Sequence, residues 1–422
     1  MIDLLSLFSF ILLYAILITA FFWLFIYLDV GSKRAEKIRL DVYPTLAIIV
    51  PTINEGKFLK KCVDSALKLD YPKSRYTIYI ALNKSSTQET AATAASFKNS
   101  RVKLVRCDMN GKARVMNYVI DNFVKEELLM VLDADTVLER RAAERLVPFF
   151  KNKNVGCAVA SVQVLDPKTI AEKLQKYEYL LSFISRKMLS SMAALMVAHG
   201  AGTVFRTSIV RKVGRFDENN NPTEDLEMGI KILTNGYQIE TDPRALSYTV
   251  VPKTFPKLFE QRKRWSSGFL FNVIKYRKEF FKKSNARLGF FVLPLLFFSM
   301  SIGIILLFML FSAVLYPFAS FVYDEYQYIA NTSISFVISS QFNALFFNVT
   351  SQTIFSIVTT VVGLFTIFYA LRYSGARMDK VRDLFGILAY ILFYLFFLSF
   401  VWLYTAIAFA ITGRGYTWKT AT

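Results

Sequence analysis

Three tracts almost free of charge constrain this chain more than anything else in it. Across residues 2–27 the only charged side chain is Asp3, and residues 288–371 and 383–413 contain no Lys or Arg. A helix needs about 20 apolar residues to cross the hydrocarbon of a bilayer, and each tract is long enough for at least one crossing. A secretory signal would carry a basic start and a small-residue cleavage site. Neither is visible, so the first tract reads as an uncleaved anchor. Residues 33–287 mix charged and apolar positions as a globular domain does. The whole chain, 54% hydrophobic and 20% charged with a positive mean hydropathy, is too apolar for a soluble domain and too charged for a bare bundle of spans.

Lys and Arg total 51 against 32 acids, a formal charge of +19. The basic residues gather beside the apolar tracts, in "GSKRAEKIR", "YRKEFFKKSNAR" and "RYSGARMDKVR". The preference of membrane proteins for positive cytoplasmic loops accounts for that placement. No nucleic-acid-binding signature accompanies it, so membrane lipids and anionic nucleotides are the partners it favours, not nucleic acid. The three cysteines, Cys62, Cys107 and Cys157, lack CxxC spacing, which fits a reduced cytosolic domain.

Within the globular region, strand-like "TLAIIVPT", "YTIYIAL", "VKLVR" and "LMVL" alternate with helix-like "KFLKKCVDSALKL", a short helical stretch and "KARVMNYVIDNFV". That rhythm predicts an α/β fold with a mainly parallel, doubly wound, Rossmann-like sheet. Residues 168–190 place Ile170, Leu174, Tyr177, Leu181, Ile184 and Met188 on one helical face. Such a helix packs on the sheet or lies at a membrane interface. Further on, 288–316 and about 350–371 read as spans, joined by the acidic outer loop "YDEYQYIANTS". The tract 384–412 is long for one span, and the tail beyond it is basic. A hairpin of two half-helices places both of its ends inside, whereas a single tilted span puts the tail outside; the hairpin is the expected form.

Four short motifs carry chemistry. In "LMVLDADTVLE" Asp133 and Asp135 follow a strand at the carboxyl edge of the sheet, where α/β proteins bind ligands. Two carboxylates there can share a hard cation that grips a diphosphate. Taken alone, Asp135 capping a following helix is the plainer reading. In "NPTEDLEMGIKIL", Thr223, Glu224 and Asp225 open an amphipathic helix; they are ordinary helix-start residues, but Asp225 can also act as a general base. "FEQRKRWSSGF" holds Gln261, Arg264 and Trp265. A basic interfacial helix explains Arg262, Lys263 and Arg264 without function, and explains the Gln and Trp less well. An Arg forks onto a diphosphate, and an indole offers a flat face to a sugar. "NGKARVMN" sets Gly111 and Lys112 at a helix start suited to phosphate.

Each motif is weak alone, but their order, DxD then TED then QxxRW between an anchor and terminal spans, is specific. The chain resembles the processive inverting glycosyltransferases of family 2, the cellulose, chitin, hyaluronan and poly-N-acetylglucosamine synthases. The likeness runs from about Thr45 to Lys275 and more loosely to "YTWKT". It implies an anchor at 1–30, a cytosolic GT-A domain at 31–250, interfacial helices at 251–287, spans at 288–412 and a cytosolic tail at 413–422, in a multi-pass protein of the plasma membrane. Thr52 and Glu55 then contact the nucleoside, with Lys112 and Arg264 at the diphosphate. Asp133 and Asp135 hold Mg²⁺ or Mn²⁺ on that diphosphate, and Asp225 is the base. Gly200 of "GAGTVFR", Thr223, Glu224, Gln261 and Trp265 line the acceptor end. His199, the only histidine, has a structural role. "QRKRW" favours UDP-GlcNAc or UDP-Glc as donor.

One part departs from the family pattern. After "YTIYIAL" the family carries an Asp that reads the nucleobase, and here the loop is "NKSSTQET". Asn83 is the expected substitute, because its amide offers one donor and one acceptor, whereas Lys84 cannot accept. Two rivals remain at this stage: a transferase adding one sugar to a membrane lipid, and a non-catalytic scaffold derived from such an enzyme. A homo-oligomer is a further expectation left open by the small number of spans.

Overall fold

The computed structural model describes residues 42–219, 221–310 and 380–412, together with Leu40 and scattered positions within 11–28 and 319–365. The tail "YTWKT", the basic loop 372–379 and most of the anchor and of the 350–371 tract lie outside the described residues.

The first half follows the sequence rhythm closely. Strands β1 (Leu46–Thr52), β2 (Tyr76–Leu82), β3 (Val102–Arg106) and β4 (Leu128–Leu132) alternate with helices α1 (Gly56–Leu67), α2 (Gln88–Ala95) and α3 (Lys112–Asn122). These four strands lie in the order β3-β2-β1-β4, all parallel. Every residue of β1 and β4 is buried, as expected where helices cover both faces of a parallel sheet. Leu59, Cys62, Val63 and Ala66 of α1 recur at helical spacing and join Ile48, Val50, Ile78, Ile80 and Met130 in the main core.

Beyond β4 the sheet is no longer uniformly parallel. After β5 (Thr136–Leu138) come α4 (Ala142–Leu146), β6 (Val155–Val164), α5 (Ile170–Ser191), β7 (Ala201–Arg206), α6 (Thr207–Lys212), α7 (Glu224–Thr234) and β8 (Gln238–Thr249). Strand β7 inserts antiparallel between β4 and β6, and β5 forms the far edge antiparallel to β8, giving the order β3-β2-β1-β4-β7-β6-β8-β5. The sheet is therefore mixed. Residue patterning gives a buried strand its identity but not its direction, which here depends on where the long α5 returns the chain. The residue after Asp135 opens a strand, so Asp135 caps no helix.

Helix α5 begins with a reciprocal cap between Thr169 and Glu172. Leu174, Tyr177 and Met188 are buried as the periodicity requires, whereas Ile170 is 71% exposed. The packed face also holds Glu172 and Gln175, polar residues that a count of apolar positions passes over. Helix α8 (Phe255–Lys275) carries the QxxRW motif, and α9 (Arg277–Phe280) and α10 (Leu293–Leu310) follow it. Finally α11 (Lys380–Ala389) continues through a π turn, Tyr390–Tyr394, into α12 (Leu395–Thr412). The tract expected to form a hairpin is one unbroken 30-residue helix from Asp383 to Thr412, the one helix among the described residues long and apolar enough to cross a membrane. Helical hydrogen bonding satisfies its backbone without a break, and the π turn absorbs the irregularity.

Asn117 of α3 holds the chain just ahead of α7. Its side chain donates to the carbonyl of Phe216 at 2.8 Å and to Glu218 at 2.7 Å, and it accepts from the Phe216 amide at 3.1 Å. Asn117→Ala leaves the buried backbone groups of Phe216 unpaired and should lower the urea unfolding free energy by about 1–3 kcal/mol. Unchanged stability would show that water replaces the amide.

Candidate active site

Asp133 is placed by β4 and by the strand beside it. The pairing of β4 with β7 shifts register between Val131 and Leu132, and the Asp133 amide donates to the Gly200 carbonyl at 2.9 Å. A β-carbon on Gly200 would lie 2.6 Å from the Asp133 carboxylate oxygens, so only glycine fits beneath that side chain. Asp135 accepts from Thr136 and Thr249 at 3.2 and 3.3 Å. Burial first, and then the charge of Asp133, pushes the Asp135 carboxyl up to about 6. A carboxylate held back in this way gains from a nearby cation.

Lys112, at the start of α3, supplies one. Its ammonium lies 2.7 Å from Asp133 and 3.2 Å from Glu224, so it ties the DxD motif to the TED motif. Burial alone would push the lysine down, but Asp133, Glu224 and Asp225 together raise it above its ordinary value. Asp225 is raised to about 6, by burial first and by Glu224 second, while Lys112 and Arg264 pull it back. A carboxylate tuned towards neutral pH is suited to accept a proton from a hydroxyl.

Thr223 does not cap α7 with its side chain. Its hydroxyl instead accepts from Asn272 of α8 at 3.1 Å, and Asn272 also donates to Asn221 at 3.2 Å. Gly268 of α8 lies against Thr223 so closely that a β-carbon there would meet its hydroxyl at 2.3 Å. Arg264 donates to the Pro222 carbonyl at 3.0 Å. The helix carrying QxxRW is therefore fastened to the loop carrying TED. Trp265 packs against Val162, Val164, Tyr179, Ala201 and Val251, which places it beside the GAG segment.

The expected nucleoside residues form a second group at the ends of β1 and β2. Glu55 accepts from the amides of Ile53 and Asn54 at 2.7 and 2.9 Å and from the Thr52 hydroxyl at 3.1 Å, so its carboxylate shapes its own loop. Asn83 is buried. Its amide donates to the Thr52 carbonyl at 3.3 Å and accepts from the Gly111 amide at 3.0 Å. Both ends of the side chain thus brace loops, and one of the backbone amides expected to face phosphate is already bonded. Lys84 pairs with exposed Asp108 at 2.8 Å. His199 contacts the Ala160 carbonyl through Nε2 at 2.9 Å, and burial, with Arg186 next, lowers it to about 3, so it is neutral and structural. Residue patterning missed Arg262, Glu178 and Tyr394, which meet in one buried cluster. The one available signal was the position of Arg262 inside "QRKRW".

A mixed sheet with acids at the end of its fourth strand, an ion-paired lysine and a buried carboxylate at Asp225 matches the GT-A type of glycosyltransferase fold. The family described as "Glycosyltransferase like family 2" matches residues 44–268, and the chain belongs to it. A poly-β-1,6-N-acetyl-D-glucosamine synthase of Staphylococcus epidermidis is 31% identical over 227 residues, covering 53% of this chain and 54% of that one. One of Staphylococcus aureus is 27% identical over 241 residues, covering 56% and 57%. The match thus spans about half the length of these curated relatives. A mannosyltransferase from Pyrobaculum calidifontis, solved with GDP-Man and Mn²⁺, shares the fold with a TM-score of 0.50 at 19% identity, over 84% of this chain and 98% of that one.

Gly200→Ala should force the Asp133 carboxylate aside and, if Asp133 holds a metal on the donor, cut the rate of donor turnover by about 10- to 100-fold, the usual cost of disturbing a residue behind a metal ligand. Nucleoside diphosphate release measured against Mn²⁺ concentration checks this. A wild-type rate would mean that Asp133 can move away without consequence.

Proposed function

We propose that the chain is a membrane-embedded inverting glycosyltransferase that transfers N-acetylglucosamine from UDP-GlcNAc to a growing β-linked polysaccharide. The observation that carries this reading is Lys112 bridging Asp133 and Glu224, because it brings the diphosphate end and the base end of the site to one point. The names of the staphylococcal relatives support the choice of sugar and of polymer.

Asp225 takes the proton of the acceptor hydroxyl. The freed oxygen attacks the anomeric carbon as the bond from that carbon to the diphosphate oxygen breaks, in a single displacement that inverts configuration. Lys112 and Arg264 balance the charge that collects on the departing UDP. Asp133 and Asp135 suit a divalent cation, since Asp135 is already pushed up by burial and by its neighbour. Among the described residues no group of three or more carboxylate, His or Cys side chains collects at one point, so diphosphate oxygens and water would complete the shell. Mg²⁺ or Mn²⁺ held there supplies further neutralisation of the diphosphate. Thr52 and Glu55 shape the nucleoside loop, and Asn83 supports it by holding Thr52 and Gly111 in place. Gly200, Thr223, Glu224, Gln261 and Trp265 form the acceptor end.

The uncharged tracts support a multi-pass protein of the plasma membrane, with 31–250 cytosolic, 251–287 at the interface and 288–412 spanning; with 383–412 one crossing helix and not a hairpin, the expected cytosolic placement of the tail 413–422 gives way to the outer side. Helix 383–412 is its most complete span.

A donor panel tests this reading. Purified chain with Mn²⁺ should release nucleoside diphosphate from UDP-GlcNAc and build product that stays at the origin of a thin-layer plate, with Asp225→Asn inactive. Release only from GDP-Man, or a product that extracts into organic solvent, would overturn the assignment of sugar or of polymer. The pH profile gives a second check. Asp225 works deprotonated, so kcat/KM should be level above about 6 and fall tenfold per unit below it. An acid limb two units lower would mean another group is the base.

A further inference from the structure

Arg262 lies between Gln261 and Trp265 in the order of the motif but is only 4% exposed. Its Nη1 donates to Gln261 Oε1 at 2.5 Å, and its Nη2 donates to Glu178 Oε2 at 2.5 Å. Tyr394 donates to that same glutamate oxygen at 2.7 Å and lies 3.5 Å from Nη2. The guanidinium carbon stands 4.1 Å from the centre of the Trp265 ring. Glu178 comes from α5 and Tyr394 from the π turn of the long apolar helix, which α5 also grips elsewhere. Lys176 pairs with Asp383 at 2.9 Å, and Tyr177 donates to Asp383 at 2.8 Å. Gly386 lies so close to Tyr177 that a β-carbon there would meet its hydroxyl at 2.2 Å.

Stability alone does not call for this cluster. A buried ion pair is commonly no more stabilising than apolar side chains of the same volume, and Arg262 Nε is left without a partner. What the cluster does supply is a fixed orientation. Gln261 and Trp265 both touch Arg262, and Arg262 is fixed from behind by Glu178 and Tyr394. We propose that Glu178, Arg262 and Tyr394 are positioning residues that orient Gln261 and Trp265 towards the acceptor sugar. The apolar helix 383–412 then shapes acceptor recognition without touching the acceptor. This rests on the reading of Trp265 as an acceptor residue.

The test uses the full chain in detergent, with UDP-GlcNAc as donor and a β-1,6-linked N-acetylglucosamine pentamer as acceptor. Tyr394→Phe removes one hydroxyl, and Arg262→Lys keeps the charge while losing the planar stack. Each should raise the acceptor KM about tenfold, the scale of one charged hydrogen bond, with the donor KM unchanged. Trp265→Ala should raise the acceptor KM at least as far, and adding Tyr394→Phe to it should change little more. Quenching of tryptophan fluorescence by the pentamer, in an Asp225→Asn background, should report the same order of affinities without turnover. Equal shifts in donor and acceptor KM, or full additivity with Trp265→Ala, would overturn the proposal. If Trp265→Ala raises the acceptor KM and Tyr394→Phe does not, the positioning role alone is wrong. If Trp265→Ala leaves the acceptor KM unchanged, the acceptor assignment falls and the positioning role falls with it.

Discussion

The ion pairs of Lys112 are the interaction on which the site depends. Two carboxylates, Asp133 and Glu224, pair with its ammonium, and a third, Asp225, acts on it through its charge; without a cation between them these acids would repel one another in a partly buried cleft. The lysine comes from α3, Asp133 from the end of β4 and the other two acids from the start of α7. One side chain therefore joins the parallel half of the sheet to the segment that follows the antiparallel β7. The chemistry expected of the site needs both halves, and this is where they meet.

Much of this was legible in the sequence because it was written in local patterns. The alternation from Leu46 to Leu132 gave strands and helices nearly residue by residue. The spacing of DxD, TED and QxxRW singled out Asp133, Asp225 and Arg264 as candidates. What stayed hidden was long-range. The antiparallel run of β7 leaves no mark on the residues of that strand, since Ala201–Arg206 is as buried and apolar as a parallel strand would be. The charge rule that favoured a hairpin concerned the ends of the 384–412 tract, whereas backbone hydrogen bonding within it favoured one continuous helix. Asn83 was expected at the base edge. Its burial and its two backbone contacts, to Thr52 and Gly111, are features that no one-dimensional pattern reveals.

Arg262 is the clearest case of a residue whose neighbours in sequence misdescribe it. Among Lys263 and Arg264 it reads as one more interfacial cation, yet its partners lie 84 and 132 residues away, in Glu178 and Tyr394. A basic run is the signature of a solvated face, and a buried arginine inside one is distinguished only by the acid that meets it.

The contact of Gly268 with Thr223 has one more consequence. Because Gly268 has no side chain, the Thr223 side chain rests directly on the α8 backbone, and that contact sets the offset between the carboxylate at Asp225 and the indole at Trp265. A methyl group inserted there would meet the Thr223 side chain and lengthen the offset along the whole helix. In the proposed reaction the two tools keep a constant span, so after each addition it is the glycan that must advance by one sugar.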